Sequence, residues 1–285
     1  MQASSLRRWA LAPVLVIATA VALALALLAT PAAGEAHVTY TVTIENLTAG
    51  QPFTPPVVVT HSSDFDIFET GQSASAEIQA IAENGNNDPL VALIGGSSAV
   101  FDSAVGTAAV LPGETATLSV TAPAGSLIST AMMLICTNDG FAGLDSVTLA
   151  SGSQTIDVNA YDAGTETNTE DFADIVPPCQ SLIGVTSDDE GTGESNPALA
   201  EGAVIAAHAG IQGGTDLTTA DHGWTDPVAR ITVTAAAEAS DLPTSGGPPL
   251  ESGSGIAWTL YLAIGGAMLI AAASVVFATS RRAVR

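Results

Sequence analysis

The chain has 285 residues, 47% of them hydrophobic, and carries a formal net charge of −23 at pH 7. Residues 37–250 hold 27 Asp and Glu residues against a single base, Arg230. This charge argues against nucleic acid as a partner, because a phosphate backbone would be repelled, whereas cations and basic surfaces would be attracted.

The first 36 residues have the organisation of an export signal. Arg7 and Arg8 precede an uncharged apolar run over residues 9–29, and small residues follow it at 32–36. The run is 21 residues long and could itself span a membrane, so a retained signal anchor is the alternative. We expect cleavage after this signal peptide and export of the mature chain.

The mature chain is predicted to consist mostly of β-strands. From Val38 to Ile44, apolar residues alternate with His and Thr, which is typical of a strand with one buried face. Further strand-like runs are separated by Gly, Pro, Asn and Asp: 57–60, 115–121, 131–136, 155–158, 203–207 and 228–234. Their spacing predicts one all-β antiparallel sandwich over residues 37–235.

Three other segments of the ectodomain have a distinct local pattern. One short helix is predicted over residues 73–82, where Ile78 and Ile81 share a face and Asn84-Gly85 supplies a stop. Residues 186–194 are acidic and polar without apolar periodicity, which predicts a solvated loop. Residues 236–255 are rich in Pro, Gly and Ser and are predicted to form a stalk.

The C-terminal part of the sequence predicts a membrane anchor. Residues 256–278 form a run of 23 residues without charge, long enough to cross a hydrocarbon core of about 30 Å. Arg281, Arg282 and Arg285 follow, so the positive-inside rule places the tail 279–285 in the cytoplasm and the ectodomain outside. A buried core helix is the alternative.

A motif in the stalk suggests a second means of attachment. The segment Leu242-Pro243-Thr244-Ser245-Gly246, followed by the apolar run and the basic tail, is similar to a cell-wall sorting signal read by a sortase. A plain stalk before an ordinary membrane anchor would have the same composition. The predicted location is therefore the cell surface, with single-pass anchoring or attachment to the wall.

Cys136 and Cys179 are the two cysteines of the chain. An exported compartment permits a disulfide, which would close a loop of roughly 43 residues and stabilise the fold by about 4 kcal/mol in the chain-entropy model. The alternative is a pair of free thiols too far apart to bond.

A series of short motifs runs through most of the ectodomain. They are residues 42–48 (VTIENLT), 51–56 (QPFTPP), 132–133, 137–141 (TNDGF), 160–166 (AYDAGTE), 210–211, 216–217, 224 and 227–230 (PVAR). In this order they resemble the spondin N-terminal domain, in the form found in many bacterial exported proteins. The resemblance implies a β-sandwich related to the C2 fold, calcium bound at loops on one end, and a role in adhesion and matrix binding.

Calcium needs six to eight oxygen ligands, which Asp-rich loops containing Gly can supply. Asp162 is the first candidate, because the Gly in its turn lets the backbone bend around a shared point. Asp221 is the second, since residues 217–222 resemble the family's calcium loop. Further candidate ligands are Asp139, Glu166 and Asp226. The alternative for each of these candidates is an ordinary solvated surface position, because the chain contains many acidic residues.

Sequence signatures of catalysis are lacking. The chain has no Gly-x-Ser-x-Gly, His-Glu-x-x-His or Cys-x-x-Cys motif and no phosphate-binding Gly loop. We therefore expect a non-enzymatic surface module that binds an extracellular protein, glycan or matrix ligand. The alternatives are an extracellular hydrolase built on a carboxylate pair and a purely structural envelope protein.

Overall fold

The computed structural model describes residues 36–237. The strands in this part of the chain are β1 (His37–Asn46), β2 (Val57–His61), β3 (Val100–Val105), β4 (Thr115–Pro123), β5 (Leu127–Met133), β6 (Gly140–Thr148), β7 (Ser153–Val158), β8 (Tyr161–Asp162), β9 (Ala206–Ala207) and β10 (Ala229–Ala235). The helices are α1 (Ala76–Asn84), α2 (Asp88–Gly96), α3 (Pro178–Ile183) and α4 (Thr219–His222), with a 3-10 turn at Phe172–Asp174.

The strands form two antiparallel sheets. The four-stranded sheet has the order β4-β1-β10-β7, and the six-stranded sheet has the order β3-β2-β5-β6-β8-β9. The predicted antiparallel sandwich is confirmed, while its relation to C2 domains stays a prediction.

The alternation seen in the sequence of β1 matches its two faces. Tyr40, Val42 and Ile44 are buried between the sheets, and Val42 lies opposite Val233 of β10. The intervening Thr residues face outward, as expected for a strand with one solvated face.

The six-stranded sheet is covered on both faces. All five residues of β2 are buried: Val58 packs in the core between the sheets, whereas Val57 and Val59 pack in the core that contains Ile78 of α1. Burial on both sides explains why β2 begins with three consecutive valines rather than with an alternating pattern.

The prediction of a single helix was wrong. The predicted helix at 73–82 is α1, which starts where the Ser75 side chain accepts a hydrogen bond from the Ile78 amide at 3.2 Å and ends at Gly85, with φ +64°. Helix α2 was missed because its sequence, DPLVALIGG, is apolar on most sides and has no clear period. Helices α3 and α4 are shorter than two turns, below the length at which a period can be detected.

Strand boundaries were also wrong in the second half of the domain. The run 131–136 was predicted as a strand, but β5 ends at Met133, and the run 203–207 contributes only the two residues of β9. Strand β6 was missed because it carries glycines. A side chain at Gly143 would place its Cβ 2.0 Å from the Thr130 carbonyl oxygen, so the strand needs glycine there.

Other predictions concern the disulfide, the loop and the termini. Cys136 and Cys179 are joined by a disulfide with a Cα–Cα distance of 5.1 Å, which confirms the pairing. Residues 186–194 form a largely exposed loop without helix or strand, as predicted. Among residues 36–237, no helix is long and apolar enough to cross a membrane. The export signal up to residue 35, the stalk from residue 238, the sorting-like motif 242–246, the apolar run 256–278 and the tail 279–285 lie outside the described residues.

Candidate metal centre

The candidate centre lies where β6 and β8 begin to pair. Asp139 immediately precedes β6, and Gly140 lies opposite Asp162 of β8. The Asp139 carbonyl also accepts a hydrogen bond from the Ala163 amide at 3.1 Å. This pairing brings two of the predicted ligands into neighbouring positions although they are 23 residues apart.

Asp139 is fully buried, and its two carboxylate oxygens have different surroundings. Oδ2 accepts hydrogen bonds from the amides of Thr165 (2.7 Å) and Glu166 (3.0 Å) and from the Thr165 hydroxyl (3.2 Å). Oδ1 has no hydrogen-bond partner. The pKa of Asp139 is raised to about 6, and burial is the largest cause of this shift. The hydrogen bond from the Glu166 amide acts in the opposite direction, and the charge of Asp162 raises the pKa further.

Glu166 is the second buried carboxylate, 3% exposed. Its Oε1 accepts a hydrogen bond from the Asn196 amide at 2.6 Å. Burial raises its pKa to about 7, the Asn196 bond opposes this, and the charges of Glu83, Asp139 and Asp174 raise the pKa further. Glu166 therefore lies within the electrostatic influence of three other acidic side chains.

Asp162 is held in place by the turn that follows it. Its Oδ1 accepts from the Gly164 amide and its Oδ2 from the Asn168 side-chain amide, both at 2.8 Å. Gly164 has φ +68°, and a Cβ on it would lie 2.8 Å from the Ala203 carbonyl carbon. This backbone conformation and close approach favour glycine at position 164, whereas the convergence of a second ligand beside Asp162 stays a prediction.

His208 lies beside this group and was not among the predicted ligands. It is 8% exposed, its Nδ1 accepts from the Gly210 amide at 2.9 Å, and its Nε2 has no partner. The proton of the neutral ring therefore resides on Nε2. Burial lowers the pKa of His208, although the charges of Asp162, Glu170 and Asp226 act to raise it. The ring therefore supplies no positive charge at neutral pH.

The remaining two predicted ligands have other local roles. Asp226 accepts a hydrogen bond from the Ala160 amide at 3.1 Å and so braces the residue that precedes β8. Asp221 accepts from the Thr218 hydroxyl at 2.8 Å and lines a groove of about 470 Å³ together with Leu182 and Val185. The hydrogen bonds of Asp221 do not connect it to Asp162, its predicted partner.

A different acidic group has the closest approach of ligand atoms. Within residues 36–237, Asp171, Asp189 and Asp216 are the group of three His, Cys, Asp or Glu side chains whose ligand atoms all lie within 4.8 Å of one another. The oxygens of Asp139, Asp162 and Glu166 do not meet that criterion, so a cation there would require a side chain to turn toward it. No sequence pattern pointed to the group of Asp171, Asp189 and Asp216, because Asp189 lies in a solvated loop.

Taken together, the described residues define a disulfide-linked, acidic, antiparallel β-sandwich with buried carboxylates at one sheet edge. The Spondin_N family model matches residues 45–177. This region of the chain is therefore similar to the spondin N-terminal domain, and the similarity suggests an extracellular module of the adhesion type. The matched region includes Asp139, Asp162 and Glu166, whereas Asp221 and Asp226 lie beyond it. A comparison with curated proteins found no match.

Proposed function

We propose that this protein is a calcium-stabilised, non-catalytic binding module displayed at the cell surface, where its apolar segment 256–278 anchors it. Its partner is an extracellular protein, glycan or matrix component. The calcium ligands are Asp139, Asp162 and Glu166.

The observation that carries the calcium proposal is the unpartnered Oδ1 of the fully buried Asp139. A buried carboxylate oxygen without a hydrogen bond is costly unless a proton or a cation compensates its charge. Oxygen-only ligands such as these carboxylates suit a hard cation, and calcium tolerates irregular geometry better than magnesium.

Charge balance supports the same proposal. Arg230 is the one Lys or Arg within residues 36–237. Its guanidinium is bound to Asp157 through contacts of 2.8 and 3.2 Å on the solvated face of the four-stranded sheet. The buried carboxylates near β8 therefore have no neighbouring arginine or lysine to neutralise them, which leaves protons or a bound cation.

Calcium would stabilise the loops of this edge by joining segments that are distant in sequence. Asp139 belongs to the turn held by the Cys136–Cys179 disulfide, while Asp162 and Glu166 begin and end the turn after β8. Binding to the folded state alone adds stability that grows with the calcium concentration. A rigid loop edge is the usual setting for recognition by a β-sandwich.

The lining of three surface grooves favours binding over hydrolysis. The grooves have volumes of about 310, 360 and 470 Å³. The largest contains one carboxylate, Asp221, the smallest contains Glu114, and the third contains none. A hydrolase of the carboxylate type needs two opposed carboxylates across its cleft, and these grooves lack that pair.

The proposal is tested by capture on immobilised matrix proteins and polysaccharides. The full chain is applied with calcium or with chelator at equal ionic strength, beside Asp162→Asn and the loop variant Asp188→Asn. We expect retention that needs calcium, is lost in Asp162→Asn and is kept in Asp188→Asn. Retention that ignores both calcium and Asp162, or turnover of an applied polysaccharide, would contradict the proposal.

A further inference from the structure

The groove of about 470 Å³ contains none of the proposed calcium ligands and has walls formed by α3, α4 and the segments at residues 49–50 and 112. Its volume falls within the range of small-ligand sites, about 300–1,000 Å³. Helix α3 is tied to the rest of the domain by the Cys136–Cys179 disulfide. The wall that α3 forms is therefore held covalently.

The wall formed by α4 is held by contacts with residues 50 and 51. The Gln51 side-chain amide donates to the His222 carbonyl at 2.8 Å. A Cβ on Gly50 would lie 2.1 Å from the Asp221 carbonyl oxygen, so the close approach of the two segments needs glycine there. Both walls are thus fixed within the domain, which lowers the cost of ordering them when a ligand binds.

The lining combines aliphatic side chains with one charged group. Leu182, Ile183 and Val185 line the groove, and Val185 is 38% exposed. The lining contains one carboxylate, Asp221, and no lysine or arginine. The Asp221 Oδ2 accepts a hydrogen bond from the Thr218 hydroxyl at 2.8 Å, which leaves its Oδ1 available to a ligand.

The charge next to the groove favours a basic ligand. Val185 leads directly into the loop 186–194, which carries four acidic residues and no base. Such a surface attracts cations and repels acidic polysaccharides. Lysine and arginine lay their aliphatic stems along apolar surface and keep the charged head group in a polar environment. A groove with aliphatic residues and one carboxylate matches both parts of these side chains.

A second copy of this chain does not supply the basic side chain. The chain has no lysine, and its six basic residues are arginines. Arg230 is bound to Asp157 through contacts of 2.8 and 3.2 Å. The other arginines belong to the predicted export signal, at residues 7 and 8, and to the predicted cytoplasmic tail, at residues 281, 282 and 285. The basic side chain therefore comes from another protein.

We infer that this groove binds a lysine or arginine side chain of an extracellular partner protein, with its stem against Leu182 and Val185 and its charged head group at Asp221. The inference rests on the proposed function, because it names the class of partner and the surface that binds it. His222 lines the same groove. Its Nδ1 accepts from the Thr218 amide at 2.9 Å, so the proton of the neutral ring is on Nε2, where it can be donated to a backbone carbonyl of the partner.

The test applies the full chain to an array of immobilised hexapeptides, with calcium and at constant ionic strength. We expect selection of peptides in which lysine or arginine adjoins an apolar residue. Retention should fall at least about threefold when citrulline, an uncharged analogue of nearly the same shape, replaces arginine. Asp221→Asn should lose the preference for a base, whereas Asp188→Asn, which removes the same charge from the neighbouring loop, should keep it.

Two features of the variants keep the test informative. Asn at position 221 retains an oxygen for the Thr218 hydroxyl, so the hydrogen bond at the start of α4 is preserved. Val185→Ser removes an exposed apolar contact without opening the core, and it should weaken retention of the same peptides.

The outcomes separate this inference from the proposed function. Equal losses in Asp221→Asn and Asp188→Asn would indicate general attraction of basic peptides and overturn the inference, as would selection of peptides without a base. Calcium-dependent retention on matrix proteins or polysaccharides that needs Asp162 but is unchanged in Asp221→Asn overturns the groove alone. Selection of basic peptides that needs Asp221, in a protein whose retention on the matrix ignores calcium, supports the groove and overturns the calcium proposal.

Discussion

Asp139 should make the calcium-free protein lose stability as the pH rises. Its pKa in the folded state is about 6, against an ordinary value of 3.8. A carboxyl group with a raised pKa contributes stability that is fully present below its unfolded value and is lost as the pH rises through its folded value. The window for Asp139 is therefore from about pH 4 to pH 7, and stability falls across it.

The size of the effect follows from the shift. A change of about two pKa units corresponds to on the order of 2–3 kcal/mol between the protonated and ionised forms. For a domain of this length, that is a fall in melting temperature of about 5–10 °C between pH 5 and pH 8. Glu166, with a folded pKa of about 7, adds a loss of the same sign at slightly higher pH. Calcium at pH 8 should restore stability, because it replaces the missing protons.

The assay is thermal unfolding of the full chain between pH 5 and pH 8, with chelator or calcium and at constant ionic strength. General repulsion within so acidic a protein also grows with pH, so the informative quantity is the difference between the unmodified protein and Asp139→Asn. Asn keeps an oxygen for the Thr165 and Glu166 amides but does not ionise. We expect Asp139→Asn to be the more stable protein at pH 8 without calcium and to gain nothing from calcium. An equal slope with pH in the two proteins would refute the reasoning.

Three further predictions concern the same edge and the ends of the chain. At a hundredfold excess over its dissociation constant, calcium should stabilise the protein by about 2.7 kcal/mol, and a melting curve should show this gain lost in Asp162→Asn and kept in Asp188→Asn. Gly164→Ala should lower the unfolding free energy by at least about 1–2 kcal/mol, because φ +68° and the contact with residue 203 both oppose a Cβ. Urea unfolding measures this loss, and it should show none in the control Gly152→Ala, where a Cβ meets open space. Protease added to intact cells should digest residues 37–250 and spare the tail 279–285; a protected ectodomain would contradict the topology, and envelope peptides that end at Ser245 would indicate a sortase.

Local patterns predicted part of this structure well. The alternation of Val42 and Ile44 identified a strand with one buried face, and the glycine at 164 identified a tight turn after Asp162. Such features depend on a few neighbouring residues, which the sequence displays directly. The disulfide was also predictable, because an exported chain with two cysteines has one possible internal pairing.

Features that depend on distant residues could not be predicted. Asp139 was ranked as a weaker ligand, since nothing local shows that its Oδ1 is buried without a partner. The contact of Glu166 with Asn196 likewise joins residues that are 30 positions apart in the sequence. Asp221 was ranked second on the resemblance of its segment, yet it contributes to a groove beside Leu182. Tertiary packing decides each of these cases.

The folding unit must extend well beyond the region that the family model matches. The match ends at residue 177, but β10 lies between β1 and β7 in the four-stranded sheet, so both strands lose a hydrogen-bonded neighbour without it. Cys179 and Asn196 also lie past residue 177, and they hold the Asp139 turn and Glu166 in place. The carboxylates near β8 thus come from the matched region, whereas the contacts that keep them buried come from the segment after it. The raised pKa values of Asp139 and Glu166 are for this reason a property of the complete sandwich.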